Sequence, residues 1–189
     1  MILSLTGPSG VGKTTLLHNV RKVRPDVQPL MSYTTRAPRE SDEPGEYAYI
    51  SPEEFEAMYE RGEFLWEART TDNLYGTRKS DIDAALEESL YVPILVIDAA
   101  EKLFAYAKER GKEQSVHFLY IRVVDEAHLR TRFRERGDAQ EEVERRIMEC
   151  KDWDTRAASS GVPFHFLNGA DTREALRDQA LEFIESFSK

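Results

Sequence analysis

Short apolar runs alternate with helical patterns along most of the chain. The apolar runs, each about as long as a buried strand, lie at residues 2–5, 92–97, 116–123 and 164–167. In the other stretches apolar residues recur every three or four positions, which predicts helices at residues 13–24, 100–110, 126–136, 141–159 and 172–187. Apolar strands separated by helices are typical of a parallel sheet with helices on both faces. We therefore predict an α/β fold with three layers.

Residues 32–90 follow a different pattern. They open with a segment rich in Pro, Gly and Asp at 38–45 and continue in short alternating stretches. Ser51 followed by Pro52 predicts the start of a helix, because Ser is a good cap and Pro fits the first turn. We predict that residues 1–31 and 91–189 form a core domain and that residues 32–90 are a small inserted domain.

Composition and charge narrow the range of functions. The 189 residues suffice for one compact domain with a small insert. The net charge is −9 and the basic residues are scattered, which makes a nucleic-acid partner improbable, since duplex binding needs clustered phosphate contacts. Cys150 is the only cysteine, so we expect a buried thiol and no disulfide or zinc cluster. The first apolar run is too short for a signal peptide or a membrane span, so we expect a cytoplasmic protein.

A glycine-rich motif follows the first apolar run. Residues 7–14 read Gly-Pro-Ser-Gly-Val-Gly-Lys-Thr and match the pattern G-x-x-x-x-G-K-[ST] at every position. Glycines allow successive backbone N–H groups to turn toward phosphate oxygens, and the following helix N-terminus adds partial positive charge. A turn that binds nothing is the alternative, but Lys and Thr at this offset favour a nucleotide site. Lys13 would bridge the β- and γ-phosphates, and the Thr14 hydroxyl would bind Mg²⁺.

A second candidate anion site lies at residues 32–39, which read Ser-Tyr-Thr-Thr-Arg-Ala-Pro-Arg. Arg36 and Arg39 lie three residues apart and follow hydroxyl side chains, so their forked donors can converge on one anion. A solvated loop with incidental charges is the alternative for an isolated Arg-x-x-Arg.

Three strings in this order resemble guanylate kinase: Gly-Pro-Ser-Gly-Val-Gly-Lys-Thr-Thr, Ser-x-Thr-Thr-Arg-x-Pro-Arg and, at 75–77, Tyr-Gly-Thr. The resemblance runs from about Leu3 to Phe183. It implies a P-loop NTPase-type sheet, an inserted acceptor-binding domain and a helical lid at residues 126–150. It also implies ATP- and Mg²⁺-dependent phosphoryl transfer to GMP or dGMP, with hinged closure over both substrates.

The resemblance also implies a role for each matching residue. The acceptor's phosphate would be held by Arg36, Arg39, Tyr47 and Tyr75, and its base would be contacted by Ser32, Thr77 and Asp98. In the lid, Arg132 and Arg146 match arginines that close over the transferred group, and Arg136 is a further candidate. Lys13, Arg36, Arg39, Arg132 and Arg146 would then be the catalytic set. The donor nucleotide would be bound by Gly7, Ser9, Gly10, Val11, Gly12, Lys13, Thr14, Thr15, Arg136 and Asn168.

Two positions depart from the family pattern. Trp66 stands where the family has the Glu that contacts guanine, and Glu67 comes one residue later. In an extended strand one step turns a side chain to the opposite face, so Glu67 reaches the base only if a bulge re-aims it. Trp66 presents its indole to the base or belongs to the core.

Asp98 is the other departure, because the family has two aspartates in this segment and here only the second remains. It ends an apolar run, which places its carboxylate at the C-terminal edge of a parallel strand. There it would contact the base or Mg²⁺-bound water; a helix N-cap near Ala99 is the other interpretation. The matches of Asp42, Glu43 and Glu46 to the family's acidic loop position stay open.

Two further functions stay open. The same fold could phosphorylate another acceptor, such as a modified or pyrimidine deoxynucleotide or a phosphopentose like ribose 1,5-bisphosphate. It could also be a non-catalytic interaction module, although such modules typically lose the phosphate loop, which is intact here. We expect a small-molecule substrate, no membrane partner, and a monomer or homodimer.

Overall fold

The computed structural model describes residues 1–40, 42, 44–69, 73–87, 89–123, 126–135, 137, 139–168 and 172–187. Its elements are β1 (Ile2–Thr6), α1 (Lys13–Val23), β2 (Ser32–Thr34), β3 (Tyr47–Tyr49), α2 (Pro52–Glu60), β4 (Phe64–Arg69), β5 (Leu74–Arg78), α3 (Lys79–Glu87), α4 (Ile97–Glu109), β6 (Val116–Arg122), α5 (Glu126–Glu135), α6 (Gln140–Ser159), β7 (Phe164–Asn168) and α7 (Arg173–Phe187). They form two compact units. One comprises residues 1–2, 26–93 and 102–116, and the other residues 3–25, 94–101 and 117–189.

The second unit contains a sheet in the order β1-β6-β7, in which β6 and β7 run parallel. Helices cover both faces of it. On one face, Tyr120, Phe164 and Phe166 pack with side chains of α4 and α6. On the other face, His117 and His165 stack on aromatic rings of α7, with ring centroids 3.7 and 4.3 Å apart. The predicted α/β class is confirmed.

The predicted strand at residues 92–97 is wrong in extent. This segment forms isolated parallel bridges only, from Ile2 and Gln28 to Tyr91 and from Leu5 to Ile94, and α4 begins at Ile97. Pro93 has no backbone N–H to donate, so a continuous ladder cannot pass through it. The apolar run is therefore a short extended segment followed directly by a helix.

The first unit is built on a four-stranded sheet in the order β3-β2-β5-β4. Strand β2 is parallel to β3 and antiparallel to β5, and β4 is antiparallel to β5. One face of the sheet carries the core of Tyr33, Phe55, Met58 and Phe64, with the Phe55 and Phe64 rings stacked 4.6 Å apart. This core fixes α2 against the sheet.

Helix α2 begins where the sequence predicts. The Ser51 hydroxyl accepts a hydrogen bond from the Glu54 N–H at 3.1 Å, and the Glu54 carboxylate accepts one from the Ser51 N–H at 2.8 Å. Pro52 occupies the first turn. This reciprocal capping box satisfies backbone donors that a helix start leaves open.

The domain boundaries drawn from the sequence stay a prediction, as does the function of the insert. The first unit includes residues 26–93. It also includes residues 102–116, which belong to the following helix and turn. Within the described part of the chain, no helix is both long enough and apolar enough to cross a membrane.

Candidate active site

The loop after β1 has the backbone of an anion cradle. Gly7, Gly10 and Gly12 have φ values of 149°, 78° and 106°, which residues with a Cβ rarely adopt. Gly12 is the N-cap of α1 and supplies no side-chain cap. The start of α1, with its partial positive charge, therefore follows directly on the glycine loop, as in known anion sites.

Lys13 lies over this loop. Its ammonium group donates hydrogen bonds to the carbonyl oxygens of Gly7 and Pro8, both at 2.7 Å. Thr14 and Thr15 follow in the first turn of α1 and are exposed. The loop thus combines a fixed cation, turned backbone and two accessible hydroxyls, which is the donor set that a polyphosphate with Mg²⁺ requires.

Helices α5 and α6 contact the phosphate loop. A Cβ built on Gly10 would lie 2.6 Å from Phe133 Cε1 and 2.9 Å from Leu129 Cδ1, so α5 packs directly on the glycine. From α6, Arg146 donates to the Ser9 hydroxyl at 3.5 Å, and its Nε donates to Glu142 at 2.7 Å. The structure therefore brings Arg146 to the phosphate loop, and its role as a lid arginine stays a prediction.

Gly10→Ala is expected to destabilise the protein and weaken MgATP binding. The new methyl group would collide with the Phe133 ring and would also force a residue with a Cβ to φ 78°. Overpacking costs about 1–3 kcal/mol and the left-handed backbone about 1–2 kcal/mol more. Denaturant unfolding and calorimetric titration with MgATP measure the two effects.

Gly137→Ala is the matched control for this substitution. Gly137 has a similar φ of 83°, but nothing lies within 4 Å of its Cβ position. The Gly137→Ala variant should lose only the stability that a left-handed backbone costs a residue with a Cβ. Equal destabilisation of the two variants would mean that the contact with Phe133 is unimportant.

The second anion site is built around Arg36, whose side chain is 6% exposed. Its Nη1 and Nη2 donate to the two carboxylate oxygens of Asp42 at 2.9 and 2.6 Å, and Nη1 also donates to Ala37 O at 2.8 Å. The guanidinium lies over the Tyr47 ring, 4.6 Å from its centroid. These hydrogen bonds raise the pKa of Arg36 and hold the pKa of Asp42 well below its usual range.

Further side chains extend this site. Tyr49 donates its hydroxyl to Asp42 at 2.5 Å, and the Arg39 N–H donates to the same carboxylate at 2.8 Å. The Tyr75 ring meets Tyr47 edge-on at 6.5 Å. Arg36, Tyr47 and Tyr75, all predicted to hold the acceptor's phosphate, thus form one connected group. The Arg39 side chain is exposed, and only its backbone joins the group through a described hydrogen bond.

A bulge in β4 decides which face Trp66 occupies. Phe64 pairs with Arg78 and Trp66 with Thr77, so Leu65 is the extra residue. The bulge turns Trp66 to the face of Thr77 and Tyr75, away from the core that contains Phe64. Trp66 is nevertheless 8% exposed and Thr77 3%. The bulge precedes Trp66, so it leaves Glu67 opposite Gly76, on the other face.

The remaining predicted site residues fall into three groups. Ser32 donates its hydroxyl to Gly76 O at 3.4 Å, which places it beside β5. Asn168 is the last residue of β7 and pairs with Arg122, at the ligand edge of the parallel sheet. The Arg132 side chain and all of Arg136 lie outside the described part of the structure.

The predicted position of Asp98 is wrong. It lies in the first turn of α4, neither at a strand end nor at the N-cap, because the helix already begins at Ile97. Its carboxylate forms an exposed ion pair with Arg156 of α6. A role for Asp98 with base or metal stays a prediction, and it would require release from Arg156.

Sequence reasoning missed Asp42 and Tyr49 as members of the Arg36 site. Asp42 was one of three acids in the same loop, with Glu43 and Glu46, to which no role was assigned from the sequence. Tyr49 lies two residues after Tyr47 in the same strand. The available signal was that Tyr47 and Tyr49 share a face of a strand, so a partner of one is within reach of the other.

A family model described as guanylate kinase matches residues 1–168 of this chain. The chain belongs to the guanylate kinase family. The resemblance found in the three strings is therefore confirmed.

Curated members of the family support the match. The chain is 33% identical over 153 residues to guanylate kinase of Anaeromyxobacter dehalogenans, covering 80% of the chain and 66% of that protein. It is 37% identical over 138 residues to that of Thermotoga maritima, covering 72% and 64%. It is 33% identical over 152 residues to that of Prochlorococcus marinus, covering 79% of both. In the first two, the chain spans slightly less than two thirds of the relative.

Solved structures agree on the fold. Guanylate kinase from Anaplasma phagocytophilum superposes with a TM-score of 0.61 at 21% identity, covering 98% of this chain and 85% of that one. A gluconokinase from Sinorhizobium meliloti reaches a TM-score of 0.50 at 15% identity, covering 98% and 92%. At these identities the likeness concerns the fold alone.

Proposed function

We propose that this protein transfers the γ-phosphoryl group of ATP to a nucleoside monophosphate, with GMP or dGMP as the acceptor. The observation that carries the proposal is the phosphate loop, in which Lys13 is held over turned glycine backbone. At a second site the forked donors of Arg36 bind a carboxylate, the type of contact that another phosphate would use. Relatives named guanylate kinase support the choice of acceptor.

On the donor side, the backbone of residues 7–15 and the ammonium of Lys13 would hold the β- and γ-phosphates of ATP. Thr14, which is exposed at the start of α1, would bind Mg²⁺. Mg²⁺, when bound, neutralises part of the phosphate charge. Asn168 would lie beside the adenine.

On the acceptor side, Arg36, Arg39, Tyr47 and Tyr75 would hold the monophosphate, and Ser32, Thr77 and Trp66 would face the base. A phosphate monoester oxygen is itself a competent nucleophile, so the protein's task is alignment and charge stabilisation. Arg146, with Arg132 and Arg136, would supply the positive charge over the transferred group. Closure over both substrates would exclude water.

A second acceptor class is favoured by one observation. Trp66 is turned toward Thr77, while Glu67 is on the opposite face of β4. An indole cannot accept the hydrogen bonds that a guanine edge donates. The same phosphate site with a different base, or with a phosphopentose, fits this face as well.

A coupled assay across acceptors tests both candidates. We expect the highest kcat/KM with GMP or dGMP in a panel that also contains AMP, CMP, UMP, dTMP and ribose 1,5-bisphosphate, each with MgATP. A higher value for another acceptor would support the second class. If the protein turns over none of them yet binds MgATP, this nucleotide kinase assignment is wrong, and failure to bind MgATP would favour an interaction module.

A further inference from the structure

The donors of Arg36 are largely engaged by the protein itself. A guanidinium has five N–H donors. Three of these N–H groups form hydrogen bonds to the Asp42 carboxylate and Ala37 O, and the Tyr47 ring centroid lies 4.6 Å from the guanidinium. Asp42 holds the end-on fork of Nη1 and Nη2, so an incoming phosphate that uses this fork must replace the Asp42 carboxylate.

Asp42 is bound as an anion ligand would be. One carboxylate accepts from the Arg36 fork, from a backbone N–H of Arg39 and from the hydroxyl of Tyr49. Guanidinium, backbone N–H and hydroxyl are the donors that proteins offer to phosphate oxygens. Both members of the ion pair are largely shielded, with 6% and 12% of their side chains exposed.

The partners of Arg36 differ in how they are tied to the fold. Ala37 O belongs to the residue next to Arg36, and Tyr47 is part of β3. Asp42 lies between the strands, in the segment that links Arg39 to β3, and its own N–H donates to Arg39 O at 3.1 Å. Its carboxylate is therefore the partner of Arg36 that is tied neither to the neighbouring peptide unit nor to a strand.

We propose that Asp42 occupies the place of the acceptor's phosphate on Arg36 and is exchanged for that phosphate when the acceptor binds. The inference rests on the proposed function, since it takes Arg36 as the acceptor's phosphate ligand. It makes Asp42 a determinant of acceptor affinity. A carboxylate that only held Arg36 in position would act in the opposite direction, because its loss would weaken acceptor binding.

These two roles predict opposite changes in acceptor affinity when Asp42 is substituted. In Asp42→Asn the competing charge is gone, and we expect the Kd for GMP and for inorganic phosphate to fall about tenfold, the equivalent of one hydrogen bond to a charged group. Calorimetric titration at constant ionic strength measures both ligands. An unchanged or higher Kd in Asp42→Asn would overturn the proposal.

Glu56→Gln is the matched control. Glu56 forms the same bidentate pair with Arg69, at 2.7 and 3.2 Å, but on the exposed surface of the same unit. It changes the net charge equally and should leave both Kd values within a factor of two. A fall of equal size in the control would attribute the effect to net charge and overturn the proposal.

Two arrangements keep the test decisive. If Asp42→Asn does not fold, hydrogen exchange of the unmodified protein tests the proposal. The Asp42 amide N–H should lose protection from hydrogen exchange when GMP or phosphate binds, and greater protection would overturn the proposal. The phosphate titration does not depend on the base. A protein that shows exchange with phosphate but no transfer to any monophosphate would refute the proposed activity and leave the exchange standing.

Discussion

Lys13→Ala is expected to lower kcat/KM for MgATP by about 10²- to 10³-fold or more, the effect of removing one preorganised charge from a reacting centre. The ammonium is held 2.7 Å from the carbonyl oxygens of Gly7 and Pro8, so its position over the loop is fixed before any ligand arrives. A charge that needs no reorganisation contributes its full interaction to the transferred group. Steady-state kinetics with GMP as acceptor measure the loss.

Lys79→Ala controls for the loss of a lysine. Its ammonium donates to one backbone carbonyl oxygen, Gly62 O at 2.7 Å, at the exposed start of α3. Activity should stay near that of the unmodified protein. If Lys13→Ala retains activity within tenfold and an unchanged KM for MgATP, the loop is not the donor site and the proposed function loses its main support.

The sequence predicted well those features that depend on local interactions. Helices α1, α4, α5, α6 and α7 were located to within a few residues and the start of α2 was found, since apolar spacing and caps act over one or two turns. The phosphate loop could be found for the same reason. Its glycines, Lys13 and Thr14 are contiguous, and their chemistry follows from the backbone that they adopt.

Features that depend on strand pairing were harder to predict. The apolar run at 92–97 contains Pro93, and its pairing is reduced to isolated bridges. The bulge at Leu65 depends on the register of β4 against β5, which no local pattern fixes. Helix α3 follows β5 without a linker, so its buried Ile82, Ala85 and Leu86 give a signal too short to separate from the strand.

The partners of Arg36 show the same limit within the site. Sequence spacing indicated that Arg36 could bind an anion, but the choice of Asp42 among three acids in one loop depends on the path of the chain between Arg39 and Tyr47. Hydrogen bonds to a backbone N–H and to Tyr49 fix that choice in the folded protein.

Arg36→Ala is expected to raise the Kd for the acceptor by about 10²-fold or more, because a bidentate charge-assisted contact is lost. MgATP affinity should not change. The variant should also have a lower Tm, since Asp42 is left with its charge and without its main partner. Calorimetric titration and thermal unfolding measure the two consequences.

Stability and binding can be separated by a second substitution. In Arg36→Ala with Asp42→Ala, no unpaired charge remains, so Tm should recover in part while acceptor binding stays weak. Arg69→Ala, which breaks the exposed pair with Glu56, should change Tm little and leave acceptor binding intact. If the double variant regained acceptor affinity, Arg36 would be a structural partner of Asp42 rather than a ligand of the acceptor's phosphate. That outcome would remove the second anion site from the proposed mechanism, whereas Lys13 and the phosphate loop would be unaffected.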